Sequence, residues 1–243
     1  MAFSHPSAKT PLFESMNLKI VPGSIVVFAG DNSTGKTTLS RLFAGLIEPT
    51  RGHILIDGVD LQQVTPEWWR QQISYMPQEP RFFDGTIKQN IAPANPDITD
   101  FELNRAIEMS GIQTFVDQSA DGVHTRITNS AANLSLGMRR RLALARALAT
   151  NGVLVLVDEP TEGLDAEGAE RVISAMNVLA QNGRTILIFS HDPNVLVGLP
   201  QYIDLNVKPT PVIVRRQTEG SATQLGAPHL PLPKPKIVSG NEP

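Results

Sequence analysis

The chain has no cysteine, little net charge and no long apolar run. Because cysteine is absent from all 243 residues, disulfides, thiolate metal sites and a cysteine nucleophile are excluded, and the composition fits a reducing compartment. The formal net charge of −3 gives no support for nucleic-acid binding, which favours a basic patch, so no nucleic-acid partner is predicted. No apolar run approaches the roughly 20 residues that span a bilayer, and the first residues lack the basic-then-apolar order of a signal peptide.

A glycine-rich loop stands between a strand pattern and a helix pattern near the N-terminus. The apolar residues 25–29 predict a buried strand, and residues 38–46 have the spacing of a helix. Between them, residues 30–37 read Gly-Asp-Asn-Ser-Thr-Gly-Lys-Thr and fit the loop that wraps the phosphates of a nucleoside triphosphate. Backbone N–H groups of such a loop and the following helix N-terminus converge on the anion.

The side chains of this loop suit phosphoryl transfer, which depends mainly on positioning and charge neutralisation. Lys36 should reach the β- and γ-phosphate oxygens, Thr37 should coordinate the Mg²⁺ that bridges them, and Thr38 should add a hydroxyl near the α- and β-phosphates. The other loop residues predicted to surround the phosphates are Gly30, Asp31, Asn32, Ser33, Thr34 and Gly35.

Two adjacent carboxylates follow a second apolar run. Residues 153–157 read Val-Leu-Val-Leu-Val and predict a central strand, and Asp158 and Glu159 come directly after it. Open α/β sheets bind ligands at the carboxyl ends of their strands. Asp158 is therefore suited to hold Mg²⁺ through water, and Glu159 is suited to orient and deprotonate an attacking water.

Strand and helix patterns alternate along the chain, which predicts a mostly parallel α/β sheet. Leu18 and Ile20 suggest a strand near the N-terminus, and a helix is expected to begin at Thr65-Pro66. Further strands are expected at residues 53–57, 73–76 and 185–189, and a helix at 166–181. Beyond about Arg216, five prolines and little apolar periodicity predict a tail that is disordered or partly polyproline II.

Four further segments carry recognisable residues in a fixed order. Residues 75–78 read Tyr-Met-Pro-Gln, residues 133–138 read Asn-Leu-Ser-Leu-Gly-Met, residues 163–165 read Gly-Leu-Asp, and residues 190–192 read Ser-His-Asp. Together with the phosphate loop and the acidic pair, they resemble an ATP-binding cassette, the nucleotide-binding domain of ABC transporters. The resemblance covers residues 3–207.

The resemblance implies an α/β fold with a P-loop NTPase (RecA-like) core, a small antiparallel β subdomain and an inserted α-helical subdomain. The expected first part of the core, with the β subdomain, is residues 1–85, and the helical subdomain is 86–149. The second part of the core is expected at 150–207, and a C-terminal strand remnant with the proline-rich tail at 208–243.

The resemblance also implies that ATP is closed between two subunits. Ser135 and the Gly137 N–H would bind the γ-phosphate held by the opposite subunit, and Asp165 would cross the dimer interface. Gln78 would contact Mg²⁺ or water, and His191 would touch the γ-phosphate. The predicted catalytic residues are thus Glu159, His191, Lys36 and Gln78, and the predicted metal-binding residues are Thr37, Gln78 and Asp158.

The chain departs from the family pattern at several places. Leu136 and Met138 stand where the usual Leu-Ser-Gly-Gly-Gln signature has glycine and glutamine, and Thr161-Glu162-Gly163 replaces the usual small residues before Leu-Asp. His5 occupies the place of the aromatic residue, usually tyrosine, that stacks on adenine, and histidine stacks less extensively. Because the chain begins close to this position, we expect it to be an excised domain or a cut from a longer polypeptide.

Residues 75–91 resemble exporters in which permease and cassette are fused, with protein- and peptide-secreting transporters closest. The predicted function is an ATP-hydrolysing cassette that pairs with a second cassette, identical or different, around ATP and Mg²⁺. It would power export through a permease at the cytoplasmic face of the inner or plasma membrane. Two alternatives stay open: a degenerate clamp that binds ATP with little hydrolysis beside a partner cassette, and a soluble ABC ATPase without a transport role.

Overall fold

The computed structural model describes residues 1–196, 199, 201–215 and 234–236. In chain order the strands are β1 (Ile25–Ala29), β2 (Leu55–Ile56), β3 (Val59–Asp60), β4 (Ile73–Met76), β5 (Gly85–Thr86), β6 (Arg126–Ile127), β7 (Leu154–Asp158), β8 (Thr185–Ser190), β9 (Gln201–Asp204) and β10 (Val212–Arg215). The helices are α1 (Lys36–Phe43), α2 (Pro66–Gln72), α3 (Ile87–Ile91), α4 (Asp100–Ser110), α5 (Gln113–Asp117), α6 (Leu136–Ala149) and α7 (Ala166–Gln181).

Six strands form the central sheet in the order β10-β9-β1-β8-β7-β4. All neighbouring strands are parallel except β10, which pairs antiparallel with β9. Because β1 and β7 both run in the same direction beside β8, their carboxyl ends meet at one edge of the sheet. This edge carries the phosphate loop after β1 and the acidic pair at the end of β7.

Alternate residues of the central strands pack on opposite faces of the sheet, as the two-residue period of a strand requires. Val27 and Val155 belong to a core that includes α4, α6 and α7, whereas Phe28 and Leu156 belong to a core with α1 and α2. The Phe28 ring stacks on Phe189 with 4.9 Å between the ring centroids. Both faces of the sheet are therefore covered, which explains why its strands read as continuous apolar runs.

The segment between β4 and β7 is mainly helical. Two capping boxes begin helices there: Thr86 with Gln89 starts α3, and Thr99 with Glu102 starts α4. The prediction of an inserted helical subdomain within an α/β fold is confirmed, as is the small antiparallel element, formed by the β2–β3 hairpin. The exact domain boundaries stay a prediction. None of the described helices is long and apolar enough to cross a membrane.

The prediction of a strand at Leu18 and Ile20 was wrong. Residues 17–22 form no strand, and the antiparallel pairing of this region consists of single bridges, Phe3 with Phe13 and Ala2 with Arg51. Leu18 and Ile20 are partly buried against the core, so the apolar alternation reflects side-chain packing without a backbone ladder. The predicted tail beyond Arg216 lies outside the described residues, apart from residues 234–236.

Replacing Gly152 by alanine is expected to destabilise the fold. A Cβ at this position would lie 2.6 Å from the carbonyl carbon of Ile73 and from the N of Ser74, where the chain enters β4. Because backbone atoms cannot move aside as side chains do, the free energy of unfolding should fall by about 1–3 kcal/mol. Denaturant unfolding measures the loss. Asn151→Ala changes the exposed neighbouring position and is the control; equal stabilities of the two variants would contradict the close approach.

Candidate functional site

The loop between β1 and α1 borders an open cleft of about 440 Å³. The residues that line it are His5, Leu12, Asn32, Ser33, Gly35, Lys36, Thr37, Thr38, Gln78 and Glu159. All of them except Leu12 were predicted as site residues. Leu12 lies beside Gly35, and it was missed because no motif marks an apolar side chain in an irregular segment.

Lys36 begins α1 and turns its ammonium group back into the loop. Its Nζ donates to the carbonyl oxygens of Gly30 at 2.7 Å and Asp31 at 2.8 Å, and it lies 3.1 Å from Glu159 Oε1. Thr34 also donates through its hydroxyl to the Asp31 carbonyl, at 2.8 Å. The loop residues Gly30, Asp31 and Thr34 therefore support the ammonium group and the loop conformation, although they do not line the cleft themselves.

Asp158 ends β7 and is almost fully buried. Its Oδ2 accepts from the Ser40 hydroxyl at 3.3 Å, and its Oδ1 has no hydrogen-bond partner among the described residues. Burial, reinforced by the charge of Glu159 and opposed by the nearby Thr37 hydroxyl, raises the pKa of Asp158 to about 6.

The oxygen atoms around Asp158 suit a hard divalent cation. The Thr37 hydroxyl lies near the Asp158 carboxylate and donates to Gln78 Oε1 at 3.5 Å. A carboxylate, a hydroxyl and an amide oxygen are ligands that Mg²⁺ accepts, usually together with water and substrate phosphates. The unpartnered Asp158 Oδ1 is a buried acceptor that such a cation or its water could satisfy, so the three predicted metal-binding residues fit Mg²⁺.

Glu159 adopts a left-handed backbone conformation, with φ of 50°. Such a conformation costs a non-glycine residue about 1–3 kcal/mol and is concentrated at functional sites. Its Oε2 accepts from the Ser190 hydroxyl at 3.3 Å and from the His191 backbone N–H at 3.2 Å, and lies 2.9 Å from His191 Nδ1. Residues at the ends of β7 and β8 thus orient this buried carboxylate toward Lys36.

Two charged residues beside Gln78 were not predicted as part of the site. Glu162 Oε2 accepts from Gln78 Nε2 at 3.0 Å and from Arg140 at 2.8 Å. Arg140 also donates to the Gln78 backbone carbonyl at 3.3 Å. Glu162 stood out in the sequence only as a departure from small residues, and Arg140 was hidden in a run of three arginines.

The remaining predicted residues lie away from this cleft. Ser135 accepts from the Met138 N–H at 3.2 Å and caps α6, next to Gly137. Asp165 caps α7 through the Gly168 N–H at 2.8 Å and pairs with Arg141 at 3.0 Å. None of the three lines the cleft of its own chain. Their roles toward ATP of an opposite subunit stay a prediction.

Comparison with known proteins identifies this arrangement. The family model described as ABC transporter matches residues 13–162, which is more than half of the chain. The chain belongs to the ABC transporter family. The predicted family and the predicted P-loop NTPase fold are thereby confirmed, and the loop, the acidic pair and the whole predicted helical subdomain lie within the matched span.

Several similar proteins are transporters. The chain is 35% identical over 77% of its length to the ATP-dependent lipid A-core flippase of Chromobacterium violaceum, and 32% identical over 84% to antigen peptide transporter 2 of Rattus norvegicus. It spans 32% and 29% of those two proteins. A bacterial Atm1-family ABC exporter with ATP bound superimposes with a TM-score of 0.76 at 28% identity, covering 84% of this chain and 35% of that one. The predicted exporter branch is confirmed.

Replacing Asp158 by asparagine is expected to change how stability depends on pH. The pKa is raised from 3.8 to about 6, so the folded state favours the protonated carboxyl. The stabilising contribution of the protonated carboxyl is present below the unfolded pKa and lost as the pH rises through about 6. From about pH 5 to about pH 7, the free energy of unfolding of the wild type should therefore fall by about 1 kcal/mol more than that of Asp158→Asn. Denaturant unfolding without nucleotide measures this; parallel pH profiles would contradict the raised pKa.

Proposed function

We propose that this chain is an ATP-binding and ATP-hydrolysing cassette that powers export through a membrane permease. The observation that carries the proposal is the convergence of Lys36, Asp158, Glu159 and His191 on the phosphate loop. A buried carboxylate held between a lysine and a histidine, beside a cleft lined by loop residues, suits phosphoryl transfer to water.

The side chains divide the chemistry between binding and proton transfer. Lys36 and the loop N–H groups would bind the phosphate oxygens, and Thr37, Asp158 and Gln78 would hold Mg²⁺. When bound, Mg²⁺ supplies neutralisation of the phosphate charge. Glu159 would orient a water in line with the γ-phosphate and accept its proton.

His191 fixes the position of the Glu159 carboxylate through its Nδ1 and its backbone N–H. About 43% of its side chain is exposed, so the imidazole is also free to reach the γ-phosphate. Ser190 adds a third contact to the same carboxylate oxygen. The carboxylate is therefore held in place before a water molecule is bound, which lowers the entropic cost of catalysis.

A second cassette and a permease are the proposed partners. Ser135, Gly137 and Asp165 do not line the cleft of their own chain, which supports a dimer in which they act on ATP of the opposite subunit. The relatives include a lipid A-core flippase and an antigen peptide transporter, so export through a fused membrane domain is proposed, with peptides or proteins as one candidate class of substrate. The site would then lie at the cytoplasmic face of the inner or plasma membrane.

A degenerate clamp is the second candidate, favoured by Leu136 in the signature and by His5 at the adenine position. The buried pair Lys36–Glu159 and the His191 contact oppose it, because a clamp needs no oriented general base. A soluble ABC ATPase without a transport role is the third reading, and the exporter relatives do not favour it.

Glu159→Gln is expected to lower kcat for ATP hydrolysis by at least about a hundredfold, because an amide cannot accept the proton of the attacking water. Phosphate release at high protein concentration measures the rate, and an ATP-trapped dimer in size-exclusion chromatography should accompany the loss. Glu170→Gln, an exposed carboxyl on α7, is the matched control. Equal and negligible turnover in wild type and Glu159→Gln would support the clamp instead.

His5→Ala is expected to weaken ATP binding about fivefold, if the imidazole stacks on adenine. His5 lines the cleft and contacts Phe3 edge-on, with 5.1 Å between the ring centroids. Calorimetric titration with ATP measures the dissociation constant. His124→Ala removes an exposed histidine outside the cleft and should leave the constant unchanged; an unchanged constant for His5→Ala would rule out the stacking role.

A further inference from the structure

Arg140 connects three segments of the site from within the fold. Its side chain lies on α6 and is almost fully buried. One guanidinium nitrogen, Nη2, donates to Glu162 Oε2 at 2.8 Å and to the Gln78 carbonyl at 3.3 Å, and Nη1 approaches the Glu159 carbonyl at 3.5 Å. Because a buried charge is costly unless it is paired, the loops after β4 and β7 are held to α6 at this point.

Glu162 fixes which way the Gln78 amide points. An ionised carboxylate can only accept hydrogen bonds, so the Gln78 NH₂ group must face Glu162 and the amide oxygen must face away. The distances agree: Nε2 lies 3.0 Å from Glu162 Oε2, and Oε1 lies 3.5 Å from the Thr37 hydroxyl. With the amide reversed, two oxygens would meet at Glu162 and the NH₂ group would face the metal-binding hydroxyl.

The Arg140 guanidinium holds the Glu162 carboxylate in position beside the Gln78 amide. Its Nη2 donates to Glu162 Oε2 at 2.8 Å. The same oxygen, Oε2, accepts from both Arg140 and Gln78. The buried Arg140 therefore holds the Glu162 carboxylate in place, and the carboxylate allows the Gln78 amide only one orientation.

We propose that Arg140 and Glu162 are positioning residues that hold the Gln78 amide with its oxygen toward Thr37, ready for Mg²⁺. The inference rests on the proposed metal site of Thr37, Asp158 and Gln78, and it adds two residues that do not touch the metal themselves. Their role is to orient a ligand before nucleotide binds, as hydrogen-bond partners of metal ligands commonly do.

The test measures how much Mg²⁺ strengthens the binding of a non-hydrolysable ATP analogue. Dissociation constants with Mg²⁺ and with EDTA, obtained by calorimetry, give this enhancement as a ratio. Glu162→Ala should reduce the enhancement about tenfold while leaving binding in EDTA unchanged, because only the metal ligand loses its orientation. Glu167→Ala, which removes an exposed carboxylate paired with Arg171 on α7, is the matched control and should change neither value.

Two further variants separate orientation from a structural effect. In a Gln78→Ala background, Glu162→Ala should cause no further loss of enhancement, since the amide it orients is absent. Glu162→Ala could unfold the protein by leaving the buried Arg140 unpaired. The double variant Arg140→Met/Glu162→Ala removes both charges. It should fold and show the same reduced Mg²⁺ enhancement.

Three results would overturn the inference. An enhancement equal to that of the wild type in the folded double variant would show that the pair does not orient Gln78. An additional loss in the Gln78→Ala background would show that Glu162 acts by another route. A wild type without any Mg²⁺ enhancement would contradict the proposed metal site itself, and this inference with it.

Discussion

Three charged side chains are buried at the carboxyl edge of the sheet, and the surrounding structure stabilises them. Lys36, Asp158 and Glu159 are each at most 6% exposed. Removing such groups from water costs several kcal/mol per ion unless partners compensate. The loop carbonyls hold the ammonium group, Ser40 contacts Asp158, and the end of β8 supplies the partners of Glu159. The phosphate loop, α1 and the ends of two strands must therefore keep their relative positions.

The apolar packing of the sheet provides that rigidity. β1, β7 and β8 alternate residues between two separate cores, so neither face of the sheet is free to shift. Both α1, which begins with Lys36, and β7, which ends with Asp158, contribute fully buried side chains to the same core, including Leu39 and Leu156. Hydrophobic burial thus holds in place the elements that carry the polar groups at the edge.

Sequence patterns predicted the elements that carry the site, but not the contacts between distant segments. β1, the phosphate loop and α7 follow from local periodicity and turn chemistry, which short windows of sequence contain. The N-terminal strand at Leu18 was wrong because apolar alternation indicates burial and does not require a pairing strand. Leu12 and the Arg140–Glu162 pair could not be found, since they depend on segments brought together only by the tertiary fold.

The residues that depart from the usual signature contact those that depart from the usual small residues before Leu164 and Asp165. Leu136 reaches the backbone at Gly163, where a Cβ would lie 3.2 Å from Leu136 Cδ2. One helical turn later, Arg140 needs an anion in its buried position, and Glu162 supplies it. Two neighbouring pairs thus connect α6 to the loop after β7: Leu136 with Gly163, and Arg140 with Glu162. Through Glu162 this contact also includes Gln78, a predicted metal ligand.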